Sequence, residues 1–425
     1  MDILTLNNIF SLPDADSGMN LIYMPFSNYA AALSDKQVQE LCKVLGGENK
    51  ISSAAVNDIL QHRNNVPRKV WKTSHCADDL LNLMILPNNR CNLHCSYCYS
   101  AHGRTNSEIT IETLRCGLRY FLSPDRIVGK RVTISVLGGG EPLLSWNIVK
   151  QGLEYAYELT SLREEQLPVS IVTNGTIVND EIIRFCLKHN ISLSVSFDIL
   201  KDIQNKQRGE YDKICANVNR FAASGLDLAF NTVITKDNVS RMVEMIECMK
   251  QNNGDVRKIS FKPIISNSYF TDDEQRRDYY KKFVDNFFNA QALAEQYGIW
   301  LTSTYQNAIL CLADRYCPGK FAITSDGEVS ICHCVSSKRD IHYDKFIFGR
   351  IDTEDDKVYI DEEKLHNILS YDMNRHDRCS DCPAKWHCAG GCYADGCHLT
   401  GNEHAVYCES MRYFLLKYLK KRFNL

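Results

Sequence analysis

Between residues 80 and 262, short apolar runs alternate with amphipathic stretches, and this alternation is the strongest constraint on the fold. Helical periodicity separates the runs, first between Ile109 and Leu122. About six such strand–helix units predict a parallel α/β sheet, which right-handed crossovers close into a full or partial barrel. The runs predicted as strands are Leu80–Pro87, Val132–Leu137, Val169–Thr173, Ile191–Phe197, Leu226–Ile234 and Lys258–Lys262.

A loop with three cysteines follows the first predicted strand. Cys91, Cys95 and Cys98 have C-x3-C-x2-C spacing, which can hold three irons of a four-iron cluster and leave the fourth iron open. Clusters that only carry electrons usually have four cysteine ligands, so an open iron indicates an exchangeable ligand. The alternatives are three unrelated buried cysteines or a zinc site, which usually takes four ligands in paired C-x2-C units.

Length, charge and cysteine content limit the class of protein. The chain has 425 residues, enough for two or three domains, and 44% of them are apolar. A net charge of -3 and a pI near 6.5 predict no nucleic-acid or anionic-membrane partner. The sequence has no apolar run of about eighteen residues and no leading signal peptide, so we expect a cytoplasmic location. In that compartment, 19 cysteines favour metal clusters over disulfides.

With Tyr97 before its last cysteine, the loop resembles the signature of the radical S-adenosylmethionine (SAM) superfamily. Residues from about 79 to 304 resemble the partial (β/α)6 barrel of that family throughout. The resemblance implies that the open iron of a 4Fe-4S cluster binds SAM, and that cleavage of SAM yields a 5′-deoxyadenosyl radical.

Further strand ends match the SAM-binding motifs of this family. The matching residues are Gly138, Gly139, Gly140, Glu141 and Pro142 after the second strand, Asn174 in a Thr-Asn-Gly turn, and Ser196, Asp198 and Arg208 after the fourth strand. The resemblance implies that Ser196 and Arg208 bind the methionine carboxylate. The alternatives are turn chemistry for the glycines and Asn174, and a solvated charge for Arg208. The chain departs from the family after Asp198, where Ile199 and Leu200 replace the usual Gly-Pro.

The C-terminal third carries a second cysteine pattern, which resembles the SPASM extension of peptide-modifying radical enzymes. The resemblance implies two auxiliary 4Fe-4S clusters, and therefore three clusters in all. One auxiliary cluster is assigned to Cys311, Cys317, Cys332 and Cys392, and the other to Cys379, Cys382, Cys388 and Cys408. A zinc site is the alternative, because the two pairs between Cys379 and Cys392 suit tetrahedral coordination.

These motifs divide the chain into three predicted regions: an α+β extension over 1–78, the radical SAM barrel over 79–304, and an iron–sulfur SPASM domain over 305–425. In the extension, the segments 21–25 and 29–33 predict a hairpin, and 34–47 predicts a capped helix that ends at glycine. The extension is interpreted either as a module that grips a leader peptide or as a structural cap on the barrel.

The resemblance implies a maturase that oxidatively modifies a ribosomally synthesised peptide by a cross-link or a thioether. Its partners are then a precursor peptide or protein and a reductant such as flavodoxin or ferredoxin. One alternative is a formylglycine-forming enzyme like the anaerobic sulfatase maturases, which have an acidic base directly after the cysteine matching Cys332. This chain has His333 there, and histidine is a residue type that commonly acts as a base. Another alternative is a non-enzymatic iron–sulfur electron carrier.

Overall fold

The computed structural model describes residues 2–63, 68–72, 74–265, 269–398 and 402–425, except the side chains of 396–398 and 402. The strands of this part are β1 (Phe10–Asp14), β2 (Met19–Met24), β3 (Tyr29–Leu33), β4 (Val70–Trp71), β5 (Asn82–Ile85), β6 (Thr133–Val136), β7 (Val169–Thr173), β8 (Ser192–Ser196), β9 (Leu228–Ile234), β10 (Lys258–Pro263), β11 (Trp300–Ser303), β12 (Leu312–Ala313), β13 (Phe321–Ile323), β14 (Glu328–Ser330), β15 (Ile347–Asp352) and β16 (Lys357–Ile360).

The α-helices connect and cover these strands. They are α1 (Ile3–Leu6), α2 (Asp35–Leu45), α3 (Ala54–His62), α4 (Ile111–Phe121), α5 (Pro124–Ile127), α6 (Trp146–Leu159), α7 (Asp180–Lys188), α8 (Lys201–Gln207), α9 (Tyr211–Ala223), α10 (Met242–Asn252), α11 (Asp273–Gln296), α12 (Thr304–Ile309), α13 (Tyr343–Phe346), α14 (Glu362–Leu369), α15 (Lys385–Cys388), α16 (Tyr393–His398) and α17 (Asn402–Phe423). None of the described helices has the length and apolar character needed to cross a membrane.

One large sheet organises the middle and C-terminal parts of the chain. Its order is β11-β10-β9-β8-β7-β6-β5-β13-β14-β15-β16. The strands from β5 to β11 are parallel, β13 joins β5 in parallel, and β14 to β16 are antiparallel. The predicted α/β class and the six strand–helix units from β5 to β10 are confirmed. The sequence did not indicate the seventh parallel strand, β11, because its four residues have no sustained apolar run.

The two faces of the parallel strands differ in polarity. In β9, Leu228, Phe230 and Ile234 are buried under the helices, while the alternate residue Asn231 is half-buried on the other face. In β8 and β10 the same alternation leaves serines on that second face. We call this second face of β8 to β10 the inner face. It is polar, because only the outer face packs against apolar helix side chains.

The N-terminal residues form a small sheet with its own apolar core. Strands β1, β2 and β3 are antiparallel in that order. The predicted hairpin is therefore confirmed, with β1 as an added strand. Helix α2 begins after Ser34, which forms a capping box with Gln37, and it ends at Gly46 as the sequence predicts. The core of this sheet is separate from the large core around the parallel strands and contains Leu4, Ile9, Ile22, Met24, Leu33, Leu41, Val56 and Ile59.

A buried arginine holds the chain where it enters the first strand of the barrel. Arg126 is 6% exposed. Its guanidinium donates to the carbonyl oxygens of Phe121, Ala77 and Leu80 at 3.1, 2.6 and 2.8 Å. These bonds join the segment before β5 to the end of α4. Arg126 therefore holds in place the residues from which β5 begins.

We expect Arg126→Met to lower the free energy of unfolding by about 3 kcal/mol, because it leaves buried carbonyl groups without a donor while keeping most of the apolar stem. Differential scanning calorimetry at matched iron content measures the effect. Arg131→Met is the control, since Arg131 is exposed. Equal losses of stability in the two variants would contradict this role of Arg126.

Candidate functional site

The three cysteines of the predicted loop lie together beyond the carboxyl end of β5. Burial raises the pKa of the Cys95 thiol; nearby Arg208 opposes that shift, and Cys98 and Cys91 add to it. All three side chains are half-buried. The loop therefore presents a group of thiols to the end of the sheet, as the sequence predicts for the strand–loop–helix order.

Polar groups from outside the motif surround these thiols. Arg104 places Nη2 at 3.4 Å from the Cys98 Sγ, and its Nη1 donates to the carbonyl of Leu93 at 2.8 Å. Asn174 directs its side-chain amide at the Cys91 Sγ, 3.8 Å away. A guanidinium can donate hydrogen bonds to a cysteine sulfur that binds a metal. Sequence reasoning missed Arg104, because an arginine in a loop has no periodic or spacing signal.

The glycine run after β6 packs against the segment that leads into the cysteine loop. A Cβ at Gly139 would lie 2.5 Å from the Asn88 carbonyl oxygen, and one at Gly140 would lie 1.7 Å from that of Arg90. The amide of Gly140 donates to the Asn88 carbonyl at 2.9 Å. Gly139 and Gly140 thus allow the backbone of residues 88–90 to pack against them, where a side chain would clash. A Cβ at Gly138, which has φ +73°, would instead lie 3.5 Å from the His333 carbonyl oxygen.

Glu141 joins the ends of β6 and β7. Its carboxylate is buried and accepts hydrogen bonds from the Thr173 hydroxyl at 2.7 Å, the Asn174 amide at 2.7 Å and the Leu143 amide at 3.0 Å. Burial raises the pKa of Glu141, and these hydrogen bonds oppose the shift. Pro142 then begins a short 3-10 helix. The Glu141 carboxylate is therefore hydrogen-bonded within the protein, and its role is to hold the loops after β6 and β7 together.

Tyr97, Asp198 and Arg208 form one connected group beside the cysteine loop. The Tyr97 hydroxyl donates to the Asp198 carboxylate at 2.7 Å and accepts from Arg208 Nη1 at 3.0 Å. Burial raises the pKa of Asp198 to about 6, while Arg208 and Tyr97 oppose the shift. Arg208 is thus a half-buried and engaged cation, unlike the alternative of a solvated charge. Ser196 lies at the end of β8 on the inner face.

The loop after Asp198 keeps a glycine-like backbone although the chain has no glycine there. Ile199 has φ +63° and its side chain is fully buried. A β-branched residue in this region is strained by about 1 to 3 kcal/mol. Burial of the isoleucine side chain offsets part of that cost. Although Ile199 and Leu200 replace Gly-Pro here, Asp198 still accepts a hydrogen bond from Tyr97.

The second cysteine group of the C-terminal part lines one cavity. Cys379, Cys382, Cys388 and Cys408 all border it, and Cys392, which is assigned to the other group, borders it as well. Burial raises the pKa of Cys379 to about 11, and Cys382 and Cys408 contribute to that shift. Thiols that border one cavity are a suitable donor set for a metal, which displaces their protons when it binds.

The other C-terminal group brings Cys317, Cys332 and Cys392 together. Burial raises the pKa of Cys392, and the nearby charges of Cys332 and Cys317 add to the shift. A hydrogen bond from Cys334 lowers the pKa of Cys332. The predicted fourth ligand, Cys311, has an exposed side chain, and its carbonyl accepts from His387 Nδ1 at 2.8 Å.

His333 lies between the two halves of the site. Its ring meets the Tyr99 ring edge to face, with centroids 5.5 Å apart. Its side-chain nitrogen and the thiols of Cys332 and Cys334 lie within 4.8 Å of one another. Among the described residues, His333 Nδ1 is buried with no hydrogen-bond partner. His333 therefore stands between the loop after Cys98 and the C-terminal cysteines.

The donor sets fit iron–sulfur chemistry. Each C-terminal group offers mainly thiols as ligands. The loop after β5 offers the three thiols of the predicted motif, with the guanidinium of Arg104 beside Cys98. Gln207, next to Arg208, is buried, and within the described residues its amide nitrogen and oxygen have no hydrogen-bond partner. Unpaired buried polar atoms beside the thiols suit a polar bound group. A parallel sheet with a three-thiol loop beyond the carboxyl end of β5 is the arrangement expected of an iron–sulfur α/β enzyme.

Comparisons with known proteins agree with this class. Residues 85–249 match the family model of the Radical SAM superfamily. The chain is 23% identical over 374 residues to the cysteine-type anaerobic sulfatase-maturating enzyme of Clostridium novyi, covering 80% of this chain and 96% of that protein. It is 22% identical over 388 residues to the radical SAM cyclopropyl synthase TigE of Paramaledivibacter caminithermalis, covering 79% and 72%.

Solved structures share the fold. Native anSMEcpe with bound AdoMet aligns with a TM-score of 0.64 and 20% identity, covering 80% of this chain and 97% of that one. Streptococcus suis SuiB bound to precursor peptide SuiA aligns with a TM-score of 0.52 and 15% identity, covering 93% and 97%. The chain therefore contains a radical SAM domain, and over most of its length it is similar to a sulfatase-maturating enzyme. A radical SAM domain implies a 4Fe-4S cluster and SAM.

We expect Arg208→Ala to weaken SAM binding by about 1.5 to 3 kcal/mol, the usual value of a hydrogen bond to a charged group. Equilibrium binding of SAM to the anaerobically reconstituted protein measures it. The control is Lys206→Ala in the last turn of α8, just before Arg208, since Lys206 is exposed and pairs with Asp237. Unchanged SAM affinity in Arg208→Ala, at normal iron content, would show that Arg208 does not bind SAM.

Proposed function

We propose that this protein is a radical SAM maturase that forms a cross-link or a thioether in a ribosomally synthesised peptide. The observation that carries the proposal is His333, which follows Cys332 where sulfatase maturases have an acidic base. The fold likeness to SuiB also extends over 93% of this chain, against 80% for anSMEcpe. The polar inner face supplies an interior for a peptide segment.

Cys91, Cys95 and Cys98 would hold the SAM-binding cluster. Bound there, the cluster and SAM supply reductive cleavage of the sulfonium bond, which gives methionine and a 5′-deoxyadenosyl radical. The chain's own residues position the cofactor: Arg208 pairs with the methionine carboxylate, and Tyr97 orients the Arg208 guanidinium. An external reductant such as flavodoxin or ferredoxin provides the electron.

The C-terminal cysteines would hold two auxiliary 4Fe-4S clusters in the region 305–425. In this assignment both clusters have four protein ligands, so their role is electron transfer and structural support. Bound there, the clusters would supply an acceptor for the electron that is released when the substrate radical forms its new bond. His333 stands beside Cys332 and can take the accompanying proton at its free Nδ1.

Residues 1–78 would recognise the peptide outside the barrel. This region has its own apolar core and a three-stranded sheet in which β1 is an edge strand. An edge strand offers unpaired backbone groups to an extended peptide. The region joins the rest of the protein through the buried Tyr23, whose hydroxyl bonds His387 Nε2 at 2.7 Å. The boundaries 1–78, 79–304 and 305–425 are part of this proposal.

The test of this function is the product that the enzyme forms from its own precursor peptide. We expect a short precursor to be encoded beside this protein. Incubation with SAM and reductant should lower the mass of that peptide by two hydrogens, and tandem mass spectrometry should locate the new bond.

Formation of formylglycine is the second candidate, because the similarity to sulfatase maturases covers most of both chains. A cysteine-containing sulfatase peptide distinguishes the two functions. Formylglycine in that peptide, with no change in the precursor, would overturn the proposed function in favour of the second candidate.

Replacement of Cys91, Cys95 and Cys98 together by alanine should abolish 5′-deoxyadenosine formation and lower iron from about twelve to about eight atoms per chain. Anaerobic reconstitution, iron analysis and chromatography of the nucleoside provide the measurements. The control is the Cys116→Ala variant, since Cys116 is buried in helix α4. Full iron content or continued SAM cleavage in the triple variant would refute the assignment of this cluster.

Cys311 and Cys334 provide a matched pair for testing the ligands of the first auxiliary cluster. We expect Cys311→Ala to reduce iron below about twelve atoms per chain, and Cys334→Ala to retain it, because only Cys311 belongs to the proposed set. Mössbauer spectra of the two variants report which cluster is altered. The opposite result would assign Cys334 to the cluster and leave Cys311 as an exposed thiol.

A further inference from the structure

Lys262 occupies a position on the inner face that the proposed chemistry does not use. In β10, Ile259 and Phe261 are buried, whereas Lys258, Ser260 and Lys262 lie on the inner face. Lys262 is the last of these before the carboxyl end of the strand. In parallel α/β sheets, this end is where ligands bind.

The amino group of Lys262 lies in an open chamber. Its side chain is accessible to solvent. Burial by the surrounding protein lowers the pKa of Lys262, and the nearby thiol of Cys334 opposes that shift. A side chain that lines a cavity open to solvent has both properties, and the position of Lys262 on the inner face at the carboxyl end of β10 agrees with such a cavity. Tyr99 has the same character: it is 52% exposed, yet burial raises its pKa.

The chamber lies between the two groups of thiols. Cys334, next to Lys262, hydrogen-bonds Cys332, and Tyr99 contacts His333 and follows Cys98 directly in the chain. We therefore define the chamber by Tyr99, Lys262, His333 and Cys334. A substrate atom in the chamber is close to both the SAM-binding loop and the proposed base His333.

Lys262 has no anionic partner in the part of the chain that the structure describes. Lys258, on the same strand and face, pairs with Asp227, but no carboxylate of the described residues lies within ion-pair distance of the Lys262 amino group. Protein replaces part of the water around this cation, and no anion of the described residues compensates for the lost hydration. A carboxylate brought by a ligand would satisfy it with a charged hydrogen bond.

We propose that Lys262 binds a carboxylate of the peptide substrate, and that the substrate therefore carries an acidic residue beside the carbon that is modified. This inference rests on the proposed function, because it requires a peptide in the chamber. The carboxylate belongs to an Asp or Glu side chain. The peptide's C-terminal carboxylate and the carboxylate of SAM have the same chemistry and are distinguished below.

The test is a selection from a library of mRNA-displayed random dodecapeptides, using the reconstituted holoenzyme with SAM. The wild-type protein should enrich Asp or Glu at one position. Lys262→Glu should enrich Lys or Arg at that position instead, and Lys258→Glu should select the same acidic residue as the wild-type protein. The same enrichment with the wild-type protein and with Lys262→Glu would overturn the proposal.

Synthetic versions of a selected peptide then give the affinity. Lys262→Met should bind the acidic peptide about tenfold or more weakly than the wild-type protein, Lys262→Arg should retain most of the affinity, and all three should bind the Gln-substituted peptide alike. If Lys262→Glu does not retain its clusters, the comparison between Lys262→Met and Lys262→Arg decides the question.

Two further measurements distinguish the source of the carboxylate. Amidation of the C-terminus should leave binding unchanged; a loss equal to that in Lys262→Met would assign Lys262 to the C-terminal carboxylate and overturn the proposal. A loss of SAM affinity in Lys262→Met, with peptide binding unchanged, would assign Lys262 to SAM and also overturn it. Absence of 5′-deoxyadenosine from the wild-type holoenzyme is a separate result, which refutes the proposed function itself.

Discussion

The buried carboxylate of Glu141 is the interaction on which the geometry of the site depends. It accepts hydrogen bonds from the end of β7 and from its own loop after β6. Asn174, which donates to it through the backbone, uses its side chain to contact the cysteine loop. Three strand ends are thus joined through one fully buried acceptor. Because a buried acceptor that loses its donors is costly, the three ends are held in one arrangement.

The sequence predicted the parallel strands well, because their apolar runs are regular and turn residues flank them. The strands at Val169–Thr173 and Lys258–Pro263 lie where the sequence indicated. The same patterns could not reveal β11 or the short strands of the C-terminal part. In those strands, pairing with an existing sheet edge compensates for a weak local preference.

At the site, the cysteine spacings and the glycine run were visible in the sequence, but their contacts were not. Arg104 contacts Cys98 within the same loop, and the tertiary fold brings Lys262 near Cys334, but no sequence motif marks either residue. The glycines were expected to admit a ligand, yet Gly139 and Gly140 admit residues 88–90 of the chain itself. Ile199 adopts a backbone conformation that its residue type disfavours, and no single-residue preference predicts such a case.

The central claim is that a radical formed at the cysteine loop removes a hydrogen atom from a peptide held at the inner face. Transfer of deuterium tests it most directly, with the precursor peptide labelled at its carbon-bound hydrogens and the mass of the 5′-deoxyadenosine measured during turnover. The account predicts that the label appears in the 5′-deoxyadenosine and that peptide modification occurs at the labelled residue. Unlabelled 5′-deoxyadenosine, formed at the same rate with and without the peptide, would contradict it.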